Sequence, residues 1–226
     1  LNQHSSETPL QGRVAKRVKG FYYLVTPEGQ EVECKVKGSL FQDSKYDNQI
    51  AVGDWVSFRP STAQEPGLIE AIEPRKSWLS RLRIGIQAEQ VIAANVDQLI
   101  LMQAAKDPSP RANFIYRMLA AARQGGVAPV LLFTKGDLVG PGDLDDFLRP
   151  FASLGLQIVQ TSNETGGDEA ALHRLLQGKT SVLAGPSGVG KSTLLNRLYP
   201  GVNLKTGVIS AKTNKGGHTT TLAELL

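Results

Sequence analysis

The sequence predicts a small all-β barrel followed by an α/β domain built on a parallel sheet. Short β-type runs separated by turn residues occupy the N-terminal part, and from Val96 onward strand-like and helix-like segments alternate. Late in the second part a glycine-rich turn, Gly185-Pro186-Ser187-Gly188-Val189-Gly190-Lys191-Ser192, follows an apolar run and opens a helical pattern. The expected organisation is a polar tail over residues 1–9, a barrel with its linker over 10–93, and the α/β domain over 94–226.

In the first part, Gly12 to Val25 reads as one or two strands, closed by the turn Pro27-Glu28-Gly29. Glu31 to Val36 alternates at period two. Val52 to Phe58 and Gly67 to Ile72 add two more runs, separated by the loop from Ser61 to Pro66. So many short strands in so short a stretch fit a small closed barrel, and the OB-fold is the arrangement that suits them best. In the second part, Val96 to Met102 is a strand and Asn113 to Gln124 a helix. Val127 to Phe133 is the next strand and Asp143 to Leu154 the next helix. Leu156 to Gln160, the amphipathic Asp168 to Leu176, Thr180 to Ala184 and Lys191 to Leu198 continue the alternation. A parallel sheet of this kind places ligands at the carboxyl ends of its strands.

Composition narrows the classes. The chain has 226 residues and a net charge of +4, from 25 basic and 21 acidic side chains. That balance neither demands nor excludes a nucleic-acid partner. No apolar run reaches the length of a membrane span, and the N-terminus lacks the regions of a secretory signal. Cys34 is the single cysteine, so no internal disulfide and no cysteine metal cluster can form; a cytoplasmic setting is expected. No histidines or acids show metal-ligand spacing. One local basic cluster, Arg13, Lys16, Arg17 and Lys19, is either an RNA-facing stripe or an ordinary solvated strand face.

The chemistry lies in two motifs. Gly185 to Ser192 matches the phosphate loop G-x-x-x-x-G-K-[ST], continued by Thr193. Its glycines let backbone N–H groups surround phosphates, and the following helix adds its positive end. Lys191 would reach the β- and γ-phosphates, and Ser192 would offer its hydroxyl to Mg²⁺. Thr134-Lys135-Gly136-Asp137 fits the [NT]-K-x-D pattern that reads guanine. Asp137 would accept the N1–H and the exocyclic amine, and Lys135 would pack its stem along the base. Thr161-Ser162-Asn163 follows one β-α unit later, in the place of the loop that meets the guanine carbonyl. In an ordinary GTPase the phosphate loop comes first, whereas here the base-reading motif precedes it. The predicted fold is therefore a P-loop GTPase domain in circularly permuted order, behind an OB-fold barrel.

Gly217-His218-Thr219-Thr220-Thr221 stands where the first switch should follow the phosphate-loop helix. Thr219 would complete the Mg²⁺ shell. His218 could orient water, although simple exposure is the commoner state of a lone histidine. The D-x-x-G segment expected next is missing, because its only match, Asp137-Leu138-Val139-Gly140, precedes the phosphate loop. The C-terminal end of the domain is accordingly read as incomplete, with a segment from Lys212 to Leu226 expected to be poorly ordered and hydrolysis by this stretch alone in doubt.

With these residues placed, the chain resembles the circularly permuted ribosome-biogenesis GTPases of the RsgA (YjeQ) type. The resemblance extends to Val52-Gly53-Asp54-Trp55-Val56, Ile72-Glu73-Pro74-Arg75, Ala93-Ala94-Asn95-Val96-Asp97-Gln98 and Gly217 to Thr221. It implies late small-subunit assembly, binding of the 30S subunit and its rRNA, GTP and GDP as ligands with Mg²⁺, and ribosome-stimulated hydrolysis. It also implies a C-terminal zinc domain, for which this sequence holds no Zn²⁺ ligands. A monomer with no membrane association is expected. A nucleotide kinase is the first competing reading, and it fails because only 33 residues follow Thr193, too few for a substrate and lid region. A GTP-dependent RNA-binding module without catalysis is the second.

Overall fold

Alternating burial along the first strands closes a barrel. The computed structural model describes residues 9–37, 50–62, 65–82, 89–162 and 169–201. The chain divides into two compact units, with the boundary between Asn95 and Val96.

The first unit contains β1 (Leu10–Val18), β2 (Phe21–Val25), β3 (Glu31–Val36), β4 (Trp55–Arg59) and β5 (Gly67–Ile72). They form a closed barrel in the order β1-β2-β3-β5-β4, with β4 returning to β1. Only β3 and β5 run parallel; every other pair is antiparallel. This is the OB-type arrangement that the short runs predicted. Val14, Tyr22, Leu24, Cys34, Val56, Phe58 and Ile69 fill the interior. Each fully buried large apolar side chain contributes roughly 1.5–3 kcal/mol.

The motif Val52-Gly53-Asp54-Trp55-Val56 folds as a turn leading into β4, so the strand starts at Trp55 and not at Val52. Gly53 has φ +89°, and a Cβ there would lie 2.1 Å from the Ala94 carbonyl oxygen. Asp54 is fully buried. Arg75 donates to its Oδ1 from Nε and to its Oδ2 from a terminal nitrogen, both at 2.7 Å. The Ala51 N–H adds a third bond to Oδ2 at 2.7 Å. The Asp54–Arg75 pair therefore explains two of the sequence blocks, which lie on either side of β4 and β5.

The stretch after Ile72, expected to be linker, holds a further hairpin of β6 (Trp78–Leu82) and β7 (Glu89–Ala94). Ser80, Arg81, Glu89 and Gln90 interrupt the apolar residues of its strands, so no clean period-two alternation marks a strand there. Asn95 ends this hairpin with φ +53°. Its side chain donates to the Gly53 carbonyl at 3.0 Å and accepts the Lys76 N–H at 3.0 Å.

The second unit carries β8 (Gln98–Ala104), α1 (Ala112–Gln124), β9 (Ala128–Thr134), α2 (Asp145–Ala152), β10 (Gln157–Gln160), α3 (Glu169–Leu176), β11 (Ser181–Ala184) and α4 (Lys191–Leu198). Its sheet has the order β10-β9-β8-β11, all parallel. Every residue of β8 is buried, as a central parallel strand covered on both faces requires. Period two sorts the faces. Ile100, Met102, Ala104, Val130 and Leu132 pack with Leu172 and Leu175 of α3 and Leu194 and Leu198 of α4. Phe133 points the other way and meets Phe147 of α2 edge-on, and Phe147 in turn meets Phe151, which tilts against Tyr116 of α1. Helices thus cover both faces, and the loops after β9, β10 and β11 emerge at one end of the sheet.

Candidate nucleotide site

The phosphate loop hangs between β11 and α4. Gly185 leaves the strand so close to β8 that a Cβ would sit 2.4 Å from the Met102 carbonyl oxygen. Gly188 and Gly190 have φ +81° and +90°, and Gly190 caps α4. Between them Val189 is fully buried in the core, which pins the middle of the loop. The first turn of α4 contains no acidic residue, so no side chain of that turn neutralises the positive end of the helix. Lys191 donates from Nζ to the carbonyl oxygens of Gly185 and Pro186, each at 2.8 Å. Burial holds its pKa below the usual lysine value, because desolvation disfavours the ammonium. An anionic ligand would relieve that cost. Ser192 is half-buried on the same turn, while Ser187 and Thr193 are exposed.

The base-reading loop leaves β9. Thr134 is buried, and its hydroxyl donates to the Val189 carbonyl at 2.7 Å, with the Gln103 carbonyl also in reach at 3.3 Å. This bond joins the two motifs. Lys135 takes the left-handed conformation, φ +55°, and donates from Nζ to the Asp107 carbonyl. Gly136 donates its N–H to the Thr161 carbonyl at 3.2 Å, and Thr161 donates its own to Phe133 at 2.7 Å. The Ser162 hydroxyl donates to Oδ1 of Asp137. Thr161 and Ser162 are both buried. The structure therefore brings Thr134, Asp137, Thr161, Ser162 and the phosphate loop to one end of the sheet.

Two partners of this site went unseen in the sequence. Asp107 supplies the carbonyl that Lys135 uses. Arg197, in the last turn of α4, donates to the Ser162 carbonyl at 3.2 Å and to the Thr161 hydroxyl at 3.5 Å. Neither lies in a motif, and each bond joins residues far apart in the chain, so no local pattern signals it. Asn163, His218 and Thr219 lie outside the described residues.

The basic cluster does not form one uniform stripe. Arg13 turns towards its own unit, donating to the carbonyls of Gly53 at 3.4 Å and Asn95 at 2.9 Å and lying 6.0 Å from the Trp55 ring centre. Lys16 pairs with Glu31 at 3.4 Å and lies 5.0 Å from the Tyr23 ring centre. Arg17 is exposed, 5.3 Å from the Tyr22 ring centre, and Lys19 is exposed at the turn after β1. Among the described residues no group of three or more His, Cys, Asp or Glu could hold a metal ion, and no helix is long and apolar enough to cross a membrane. The positive φ values of Gly188 and Gly190 suit the loop to an anionic ligand such as a phosphate. The half-buried Ser192 hydroxyl in the first turn of α4 would be the oxygen available to a Mg²⁺ that such a ligand carries.

A parallel-sheet domain with a phosphate loop, and with a base-reading loop before it in the chain, is a circularly permuted P-loop GTPase. The RsgA GTPase family model matches residues 72–226, and the RsgA N-terminal domain model matches residues 11–69. The chain belongs to the RsgA GTPase family, whose activity is GTP hydrolysis. It is similar to the small ribosomal subunit biogenesis GTPase RsgA of Carboxydothermus hydrogenoformans, 40% identical over 218 residues, covering 96% of this chain and 70% of the relative. The RsgA of Flavobacterium johnsoniae is 34% identical over 223 residues, 96% of this chain and 69% of its own. Among solved structures, YjeQ from Thermotoga maritima superposes with a TM-score of 0.68 at 32% identity, covering 88% of this chain and 68% of that one. YloQ, a circularly permuted GTPase, gives 0.61 at 27% identity with the same coverage.

Proposed function

We propose that the protein binds GTP and GDP with Mg²⁺ and hydrolyses GTP during late assembly of the small ribosomal subunit, on the 30S particle itself. The name shared by its relatives supports the assembly role, and the Thr134–Val189 bond carries the nucleotide reading. It holds a guanine-reading loop and a phosphate loop in one frame. In this reading Asp137 accepts two hydrogen bonds from guanine, and Lys135 lines the base together with Gly136. The loop of Thr161, Ser162 and Asn163 closes the base site. Residues Gly185 to Thr193 cradle the phosphates.

Lys191 exchanges its two loop carbonyls for phosphate oxygens, placing positive charge where the γ-phosphoryl group gathers negative charge. Ser192 and Thr219 would hold Mg²⁺, which supplies neutralisation of the β- and γ-phosphate charge. His218 is the proposed water-orienting residue, and His218→Ala tests it. The first part, residues 10–93 with the barrel and the stretch after it, is the rRNA-facing part, with Arg17 and Lys19 as the exposed cations of its basic cluster. The domain of residues 94–226 is the nucleotide part. The protein works in the cytoplasm as a monomer, away from membranes. A zinc domain is carried over from the family resemblance alone.

Single-turnover GTP hydrolysis with and without 30S subunits is the deciding experiment. Stimulation by the subunit is expected. Tight, GTP-dependent 30S binding with no hydrolysis would favour the second reading, a GTP-controlled RNA-binding module. In parallel, replacing Arg17 and Lys19 with Ala should weaken 30S binding and flatten its salt dependence, by about 0.7 to 0.9 in slope for each phosphate no longer neutralised. An unaltered slope would place the RNA surface elsewhere.

A further inference from the structure

We propose that Arg197 is a specificity-determining positioning residue, which holds the Ser162 backbone so that the Ser162 hydroxyl aims the Asp137 carboxylate at guanine. The proposal rests on the base-site reading above. The path is short and continuous. Arg197 donates to the Ser162 carbonyl at 3.2 Å and to the Thr161 hydroxyl at 3.5 Å. The Ser162 hydroxyl donates to Oδ1 of Asp137. Thr161 also accepts the N–H of Gly136, the residue before Asp137, at 3.2 Å. Two routes thus run from one guanidinium to the acid that reads the base.

A carboxylate has about four lone-pair sites and broad freedom at its last torsion. Discriminating guanine needs both oxygens held in the plane of the base edge. A hydroxyl fixed against Oδ1 removes that freedom while leaving acceptor capacity for the ligand. The hydroxyl can do so only if its own backbone is fixed, and Ser162 stands at the edge of a loop. Arg197 meets that need with a rigid fork of donors rather than one flexible point charge.

An ordinary role exists for a cation at this place, because a basic residue in the last turn complements the helix dipole. The geometry goes further than that role requires. The terminal nitrogens reach across to residues 35 and 36 positions away in the chain. Because α4 is a single helix from Lys191 to Leu198, one rigid element then touches the phosphate site at its start and the base site at its end.

The test compares GDP with IDP, which lacks the 2-amino group that Asp137 accepts, by calorimetry on the whole chain. Arg197→Ala should lower GDP affinity about tenfold, the scale of one misaligned hydrogen bond to a charged group, and IDP affinity clearly less. Arg197→Met keeps the apolar stem without the donors and should behave alike if the alanine variant folds poorly. In an Asp137→Asn background neither change should lower GDP affinity further. Equal losses for GDP and IDP, or an undiminished loss in that background, would reduce Arg197 to a structural support and overturn the proposal. If Asp137→Asn cripples guanine selectivity while both Arg197 variants keep it, this proposal alone falls. Wild-type GDP affinity in Asp137→Asn would sink the base-site reading and this one with it.

Discussion

Thr134 and Val189 lie 55 residues apart in the chain and 2.7 Å apart in space, the hydroxyl of one donating to the carbonyl of the other. Both are buried. Between them the chain completes α2, β10, α3 and β11 before it returns. No adjacent stretch of chain links the loop after β9 to the phosphate loop, and this short buried hydrogen bond ties the two directly.

Thr134→Val keeps the shape and removes the donor. The Val189 carbonyl is then left buried without this bond, a cost of about 1–3 kcal/mol. We expect both a lower thermal midpoint of the nucleotide unit and weaker GDP binding, since the loop loses its anchor as well as the fold losing a bond. Lower stability with unchanged GDP affinity would show that the bond supports the fold without organising the site.

Guanine selectivity should rest on Asp137. A site built to pair polar groups rejects an analogue that leaves them unpaired by up to about 10⁴-fold. Asp137→Asn turns one acceptor into a donor, so GDP binding should fall steeply and xanthosine diphosphate binding should rise. Competition between the two nucleotides measures the change. GDP preference retained in the variant would remove Asp137 from the site.

Gly185 has no room for a side chain. Because a Cβ would meet the Met102 carbonyl oxygen at 2.4 Å, Gly185→Ala must displace the loop away from β8 and carry the Lys191 tether with it. Nucleotide affinity should fall by a margin similar to that of Lys191→Ala, which removes the phosphate-facing charge directly. Calorimetry on the two variants checks this, and near-native affinity in Gly185→Ala would mean that the strand end yields more easily than its packing suggests.

Much of this architecture could be read from residue order because it is local. Short β-type runs between turn residues, with period-two alternation from Glu31 to Val36, announced the barrel strands, and the apolar run Val130 to Phe133 announced the strand that delivers Thr134. The hairpin of β6 and β7 escaped, since Ser80, Arg81 and Gln90 dilute the alternation of its strands. Arg13 looked like any exposed cation beside Lys16 and Arg17. Its turn towards Gly53 and Asn95 depends on a neighbour 82 residues away, which no local pattern encodes. Arg197 and Asp107 were invisible for the same reason. What sequence shows well is chemistry held in a contiguous motif; what it hides is the side chain that reaches in from another element.

The Asp54–Arg75 pair should dominate the stability of the first unit. Asp54 is fully buried and the Arg75 side chain is 13% exposed, so removing Asp54 takes a bidentate acceptor away from a largely buried cation. Breaking such a pair costs about 3–5 kcal/mol, and Asp54→Ala should destabilise the barrel by that order. Trp55 and Trp78, the chain's two tryptophans, both belong to this unit, so urea unfolding followed by tryptophan fluorescence reads it. A loss under about 1 kcal/mol would mean that water or its other contacts satisfy Arg75 without Asp54.

Cys34 gives the barrel a pH dependence of known sign. Its side chain is buried in the barrel core, and burial, with a smaller contribution from Glu33, pushes the thiol up to about 12 from its ordinary 9.0. The folded state therefore holds the proton more tightly than the unfolded chain. The stabilisation is fully present below about pH 9 and declines as pH rises towards the folded value. The stability difference between wild type and Cys34→Ala, measured by tryptophan fluorescence in urea, should be constant up to about pH 8.5 and shrink steadily above it. The same burial keeps the thiolate out of reach, so a thiol reagent at neutral pH should label Cys34 only as fast as the barrel opens. Rapid labelling of the folded protein, or a stability difference that grows with pH, would show that the thiol is not sealed in the core.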